Sequence, residues 1–297
     1  MSIVSLLAPD FLLIALGFLL RRSAQFSDEF WTGLEKAVYF VFFPALLFKA
    51  LARAHVESGS AAALLGAGLP ATFAGMVLAY AARRLFSASA ASHASAFQCG
   101  FRFNSYVGFA LLGRLYGEAG IAAMAILQSV MVTVVNVAAV WALAQHAKTG
   151  AFRELVRNPL IIATLFGMAW NIAGLPLPRV ASDTFGLLAQ SALPLGLIAV
   201  GGSIRTTGPT TLAGLSAYLT AVKLLAVPAV AWVLATALGM SGVYRDAAVL
   251  FAALPASPSA FILASRMGGD GPLVACFLTL QIVIAGATLP LRLAMLA

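Results

Sequence analysis

Charge is what this sequence has least of. Of its 297 residues only 9% are Asp, Glu, Lys or Arg, and the acids number 10 against 18 bases. A water-soluble domain carries about 25% charged residues, so a soluble fold is excluded. Cysteine is nearly absent. Cys99 and Cys276 stand far apart in apolar surroundings, which gives neither a disulfide framework nor a Cys/His metal cluster. His55, His93 and His146 have no partner acid in a recognisable arrangement. His-Glu-x-x-His and Gly-x-Ser-x-Gly are missing too, so no enzyme signature is present and no metal or cofactor is expected.

What fills the chain instead is apolar: 62% of it, with 26 glycines and 13 prolines as punctuation. The net charge of +8 is spread in ones, twos and threes between apolar runs, a pattern of membrane topology and not of nucleic-acid binding. Each bilayer crossing with its connection takes roughly 25 to 30 residues, so this length accommodates about ten helices. The apolar runs place them near 3–20, 31–50, 60–82, 93–114, 118–146, 158–175, 182–204, 210–238, 245–265 and 271–295.

The first run is followed, not preceded, by Arg21-Arg22, the reverse of a signal peptide. It reads as a retained first span with its N-terminus outside. The cytoplasmic side then holds Arg21, Arg22, Arg83, Arg84, Lys148, Arg153, Arg157, Arg205 and Arg266, nine bases against six on the other face. Ten crossings return the C-terminus to the outside, which predicts a multi-pass protein of a bacterial inner membrane, in contact with lipid throughout.

An internal repeat organises the chain. Laying 101–118 over 253–270 without a gap pairs Ser105 with Ser257, Phe109 with Phe261, Leu111 with Leu263, Arg114 with Arg266, Gly117 with Gly269 and Glu118 with Asp270. At nearly the same offset Gln128 meets Gln281 and Pro44 meets Pro194. The fourth span thus repeats as the ninth, and the halves are residues 1–147 and 158–297 around a cytoplasmic connection at 148–157. Five crossings per half force the second copy to enter from the opposite side, an inverted repeat of the kind found among secondary transporters.

Helix breakers gather in the middle of the matched spans. The ninth has Leu254-Pro255-Ala256-Ser257-Pro258-Ser259, where two prolines each remove a backbone donor. The fourth has Asn104-Ser105-Tyr106-Val107-Gly108 at the same place. Broken backbone at membrane depth is tolerated only where protein buries it or a watery cavity meets it. The half-helix N-termini so exposed suit an anion, and Asn104, Ser105, Ser257 and Ser259 add donors. The bland alternative is a pair of kinks satisfied by neighbouring helices. Arg102 either serves such a site or snorkels to the surface, and Lys223 either snorkels or pairs. Gln128 and Gln281 either line the site or bond between helices. Gly66, Gly68 and Gly75 read as helix-packing positions. No acid lies in either break.

These residues resemble the auxin efflux carrier family, which includes plant pin-formed carriers and bacterial malonate or malate permeases. The likeness rests on Phe43-Pro44-Ala45-Leu46-Leu47-Phe48, Asn104 with Gly108, Arg157-Asn158-Pro159, Ala192-Leu193-Pro194-Leu195, and Ala253-Leu254-Pro255 with Phe261 and Ala264. It implies an all-α, sodium/proton-antiporter-like fold of two inverted five-helix repeats, with broken helices 4 and 9 crossing at mid-membrane. It implies further a scaffold of spans 1, 2, 6 and 7 that forms a homodimer, an elevator-like movement of spans 3–5 and 8–10, and small organic carboxylates as substrates. Asn104 would be the crossover asparagine beside the carboxylate and Pro255 the crossover proline. Tyr106, Gly108, Ser257, Pro258, Ser259, Arg102, Gln128 and Gln281 complete the candidate site, with Pro44, Pro194, Gly108, Pro255 and Pro258 as hinges. One departure is Ala110, where many members have proline; it predicts a shallower break in the fourth span. The short connection after Gln145 fits a compact bacterial member. A sodium-coupled symporter of the bile-acid type and a non-transporting anion receptor remain as alternatives.

Overall fold

The computed structural model describes residues 3–23, 25–52, 58–144, 159–204, 212–257 and 259–296, and these are helical with no strand among them. In chain order the helices are α1 (Ile3–Arg22), α2 (Asp28–Ala37), α3 (Phe43–Ala52), α4 (Ser58–Leu85), α5 (Ala90–Phe97), α6 (Ser105–Ala144) and α7 (Pro159–Ile172). After these come α8 (Arg179–Ser203), α9 (Ala213–Ala221), α10 (Val227–Ala237), α11 (Gly242–Ala253), α12 (Ser259–Arg266) and α13 (Gly271–Leu296). Among the described residues, six helical stretches are long and apolar enough to cross a membrane: Asp28–Lys49, Ala61–Leu85, Ala90–Leu143, Arg179–Ser203, Ala213–Ala237 and Gly271–Leu296. The polar connection expected at 148–157, and with it Arg157 and Asn158, lies outside the described residues.

Local chemistry explains where these helices start and bend. Ser27 and Ser89 cap α2 and α5 by accepting from the backbone N–H groups of Phe30 and Ser92, and Asp28 and Glu29 in the first turn of α2 suit its positive end. Two π turns, Val38–Phe42 and Val222–Ala226, join α2 to α3 and α9 to α10. In each, a prolyl residue follows closely, Pro44 and Pro228. A proline cannot donate to the preceding turn, and the widened turn absorbs the missing bond through Phe43 N–H to Val38 O and Val227 N–H to Val222 O. Pro194, in contrast, sits inside an uninterrupted α8. Within α6 the chain is bent at Gly117, whose φ of 59° is open to glycine without steric cost. This divides α6 close to where the fourth and fifth spans were separated.

The chain forms two compact units, and each takes segments from both halves of the sequence. Unit 1 contains 1–61, 106–129 and 152–203. Its helices α1 and α8 pack along one another, and α3 packs on α7 and α8. Lipid is as apolar as leucine, so helices in it associate by close fit. Gly17 and Gly201 supply that fit, because a Cβ on either would sit 2.0 Å from Ile198 O or 1.9 Å from Ile14 O. Phe43 is fully buried against Tyr106 and Phe109, with ring centroids 4.6 and 5.6 Å away.

Unit 2 contains 62–105, 130–151 and 204–297. Here α10 packs on α11, and α13 packs on α5, α11 and α12. Gly75 works as a packing position, since a Cβ there would lie 2.8 Å from Val227 Cγ2 and 3.0 Å from Gly100 O. Asp270 opens α13. Its carboxylate accepts from Leu273 N–H and from the Ser92 hydroxyl, so this repeated acidic position is a helix cap in the second half.

Candidate functional site

Unit 2 contains two interruptions of helix, and they touch. The first follows α5, which tightens into a 3₁₀ turn at Gln98–Gly100 and then ends. Phe101 closes that turn with φ −141° and ψ −18°, and 102–104 are not helical before α6 opens at Ser105. The break therefore lies ahead of Tyr106, Val107 and Gly108, which are already within α6, and Ala110 continues that helix. No proline enforces it. Gly100 is pressed against Ala79, where a Cβ would approach to 2.6 Å. Phe101 and Phe103 are buried, with Phe103 packed on Phe251 at a centroid distance of 4.3 Å. Packing fixes this break.

The second interruption follows α11. Leu254 has φ −62° and ψ 140°, the extended state that a residue preceding proline prefers, and Pro255 is that proline. Residues 254–257 are non-helical and α12 begins at Ser259. Ser257 caps it, its carbonyl accepting from Ala260 N–H at 2.9 Å and its hydroxyl from the Ser259 hydroxyl at 3.0 Å. Pro258 lies outside the described residues.

The two breaks meet backbone to backbone, the N–H of Asn104 donating to the carbonyl of Pro255 at 2.7 Å. Asn104 is fully buried. Gln281 of α13, also fully buried, ties both segments together. Its Oε1 accepts from Ala256 N–H and its Nε2 donates to Cys99 O, each at 2.9 Å. Gln98 makes a second bridge, donating through Nε2 to Ala260 O at 3.1 Å while its Oε1 accepts from Arg102.

Arg102 does not snorkel. It is 6% exposed, and its guanidinium donates to Gln98 Oε1 (3.0 Å), Asn136 Oδ1 (2.8 Å) and the Ser259 hydroxyl (3.1 Å). It thereby links the C-terminal end of α5 to the N-terminal end of α12. Lys223 does not reach the surface either. It is 1% exposed, and its Nζ donates to the carbonyl of Ala252 at 2.6 Å.

Of the residues expected at a site, unit 2 brings together Arg102, Asn104, Ser105, Pro255, Ser257, Ser259 and Gln281. Tyr106, Gly108 and Gln128 belong to unit 1. Tyr106 packs on Phe43 there. Gln128 is 1% exposed, and both polar atoms of its amide lack a hydrogen-bond partner among the described residues. The residues missed by sequence reasoning are Gln98 and Asn136. The available signal for Gln98 was its place one helical turn before Arg102, while Asn136 is an isolated amide in an apolar run. Among the described residues no group of three or more His, Cys, Asp or Glu could hold a metal ion.

Comparison with known proteins places this geometry in context. The family model described as "Membrane transport protein" matches residues 2–150 and 146–293. A protein of Rhizobium meliloti (strain 1021) named "Putative malonate transporter" is 25% identical over 284 residues, covering 90% of this chain and 87% of that protein. An "Uncharacterized transporter" of Methanothermobacter thermautotrophicus is 23% identical over 285 residues, covering 94% and 93%. The "Auxin efflux carrier component 2" of Arabidopsis thaliana is 28% identical over 122 residues, covering 39% of this chain and 19% of the plant protein.

Proposed function

The chain belongs to the membrane transport protein family of auxin efflux carriers, and from that premise we propose that it is a secondary carrier of small organic anions. Its substrate carboxylate is held where the two helix interruptions meet. The observation that carries this reading is the hydrogen bond from Asn104 N–H to Pro255 O, which brings two half-helix starts, Ser105 and Ser259, into one region of unit 2. Free N–H groups and the positive end of each half-helix favour an anion. Neither break contains a carboxylate to oppose it. Asn104, Ser105, Ser257 and Ser259 supply donors, and Arg102 adds positive charge. Tyr106, Gly108 and Gln128 enter the proposal as positions to be varied.

The name of the Rhizobium relative supports a dicarboxylate, and the plant carriers support an auxin-like aromatic carboxylate as the second class to test. Two inverted five-helix repeats are supported by family matches that fall on the two halves and by interruptions at corresponding places in both. An elevator movement against a dimeric scaffold of spans 1, 2, 6 and 7 is supported by the grouping of those spans in unit 1, which also holds residues 106–129. The protein is an integral membrane protein. A bacterial inner membrane with both termini outside is the placement we propose for it.

Purified protein in liposomes is expected to exchange labelled malonate for unlabelled malonate trapped inside. Asn104→Ala should abolish that exchange while melting close to the unaltered protein. Normal exchange by a folded Asn104→Ala variant would remove Asn104 from the site. Binding without counterflow would make the protein a receptor.

A further inference from the structure

Lys223 is the group whose position the proposed site does not explain. Placing a lysine at the centre of a membrane helix costs on the order of 2.5 to 3.5 kcal/mol on insertion scales, and a side chain of equal length without charge would fill the same volume. The lysine is turned inward from the π turn Val222–Ala226, a widened turn of the kind that often marks functional positions.

What it meets is the carbonyl end of α11. Were that helix to continue, Phe251 O would accept from residue 255 and Ala252 O from residue 256. Pro255 has no N–H, and the N–H of Ala256 goes to Gln281 instead. Leu254 N–H turns back to Phe251 O at 3.3 Å, which leaves Ala252 O with no backbone donor among the described residues. That oxygen carries the negative end of the half-helix, and Ala252, Ala253 and Leu254 are all buried, so bulk water does not reach it. In broken-helix carriers such carbonyl ends are places where coupling cations bind. Here Lys223 Nζ occupies the position, 2.6 Å from Ala252 O.

We propose that Lys223 is the built-in cation of the second break: its ammonium covers the carbonyl end of α11 in place of a bound sodium ion, so the protein needs no sodium to hold the break together or to bind its anion. The second half of that statement rests on the carrier reading. The first half stands without it.

Melting of the purified full chain in detergent tests the first half, with choline, sodium or n-propylammonium as the chloride salt. The unaltered protein should melt at one temperature in all three. Lys223→Ala should melt about 5–10 °C lower in choline and recover part of the loss in sodium or propylammonium, which enter the vacated space. Lys223→Met, which fills the space with an uncharged chain, should stay low in every salt. Sodium raising the melting temperature of the unaltered protein would overturn the proposal. So would Lys223→Met melting like the unaltered protein, or Lys223→Ala gaining nothing from either cation. Should Lys223→Ala fail to fold, the unaltered protein and Lys223→Met decide the matter. Malonate counterflow with choline in place of sodium should be unchanged. Sodium-dependent counterflow would overturn the second half, whereas absence of counterflow in every salt bears on the carrier reading and leaves the melting result standing.

Discussion

Replacing Gln281 by leucine isolates the contribution of the side chain that ties the two breaks together. The substitution keeps similar volume and removes both the acceptor for Ala256 N–H and the donor to Cys99 O. Gln281 and Cys99 are fully buried, so neither backbone group finds water in exchange. A buried backbone group deprived of its partner costs about 1–3 kcal/mol. Two of them set a lower bound of about 2 kcal/mol on the stability of the join. The thiol of Cys99 offers a direct readout, since it lies in the 3₁₀ turn beside the lost bond. In a Cys276→Ser background, labelling by a thiol reagent requires the break to open. With tenfold per 1.4 kcal/mol, Gln281→Leu should speed that labelling by about 30-fold and lower the melting temperature. The control is Val283→Ala, one turn-face away on α13 and 66% exposed, which should change neither. Labelling of Gln281→Leu within twofold of its parent would refute the reasoning, because the two bonds would then contribute nothing to holding the breaks closed.

Two further outcomes follow from packing and polarity in unit 1. Gly201→Val should lower the melting temperature by about 3–10 °C, because its Cβ would fall 1.9 Å from Ile14 O and overpacking costs about 1–3 kcal/mol; a variant that melts normally would show that α1 and α8 separate freely. Gln128→Leu should melt at or above the temperature of the unaltered protein, since it replaces an amide with no partner among the described residues by an apolar group; a clear fall would show that the amide is satisfied in the folded protein.

The helical class was legible in the sequence, whereas the two interruptions differ in how far the sequence announces them. Pro255 announces the second break directly: it forces Leu254 into extended backbone and withholds an N–H. The first break contains no proline, and its presence at 101–104 depends on tertiary packing of Gly100, Phe101 and Phe103 that no local pattern encodes. Reading it from the polar cluster Asn104–Gly108 placed it a few residues too far along the chain. Arg102 and Lys223 illustrate another limit. Sequence position shows that a cation lies within an apolar run, yet whether it reaches outward or inward depends on the turn geometry beneath it, here a 3₁₀ turn and a π turn. The division into compact units is likewise encoded by no local pattern, because the contacts that create it join segments far apart in sequence; only the family resemblance offered a grouping of spans to compare with it.

The electrostatics of the breaks bring these observations to one point. Interrupting a membrane helix creates two ends of opposite polarity, and a site attracts an anion only if its carbonyl ends are covered and its N–H ends are left available. The carbonyl ends are covered from within the protein: Gln281 donates to Cys99 O and Lys223 donates to Ala252 O. The N–H ends begin at Ser105 and Ser259, small hydroxyl residues beside Arg102 and Asn104. On the proposed reading, covering both carbonyl ends with the chain's own donors takes the place of a metal cation and leaves an excess of positive potential at the meeting of the breaks. The proposed preference for a carboxylate therefore arises from which helix ends are capped, and Gln281 and Lys223 are the side chains committed to those carbonyls. Altering either should change how well the anion is held even where Asn104 is intact, and Lys223→Met should weaken malonate binding more than Lys223→Arg does.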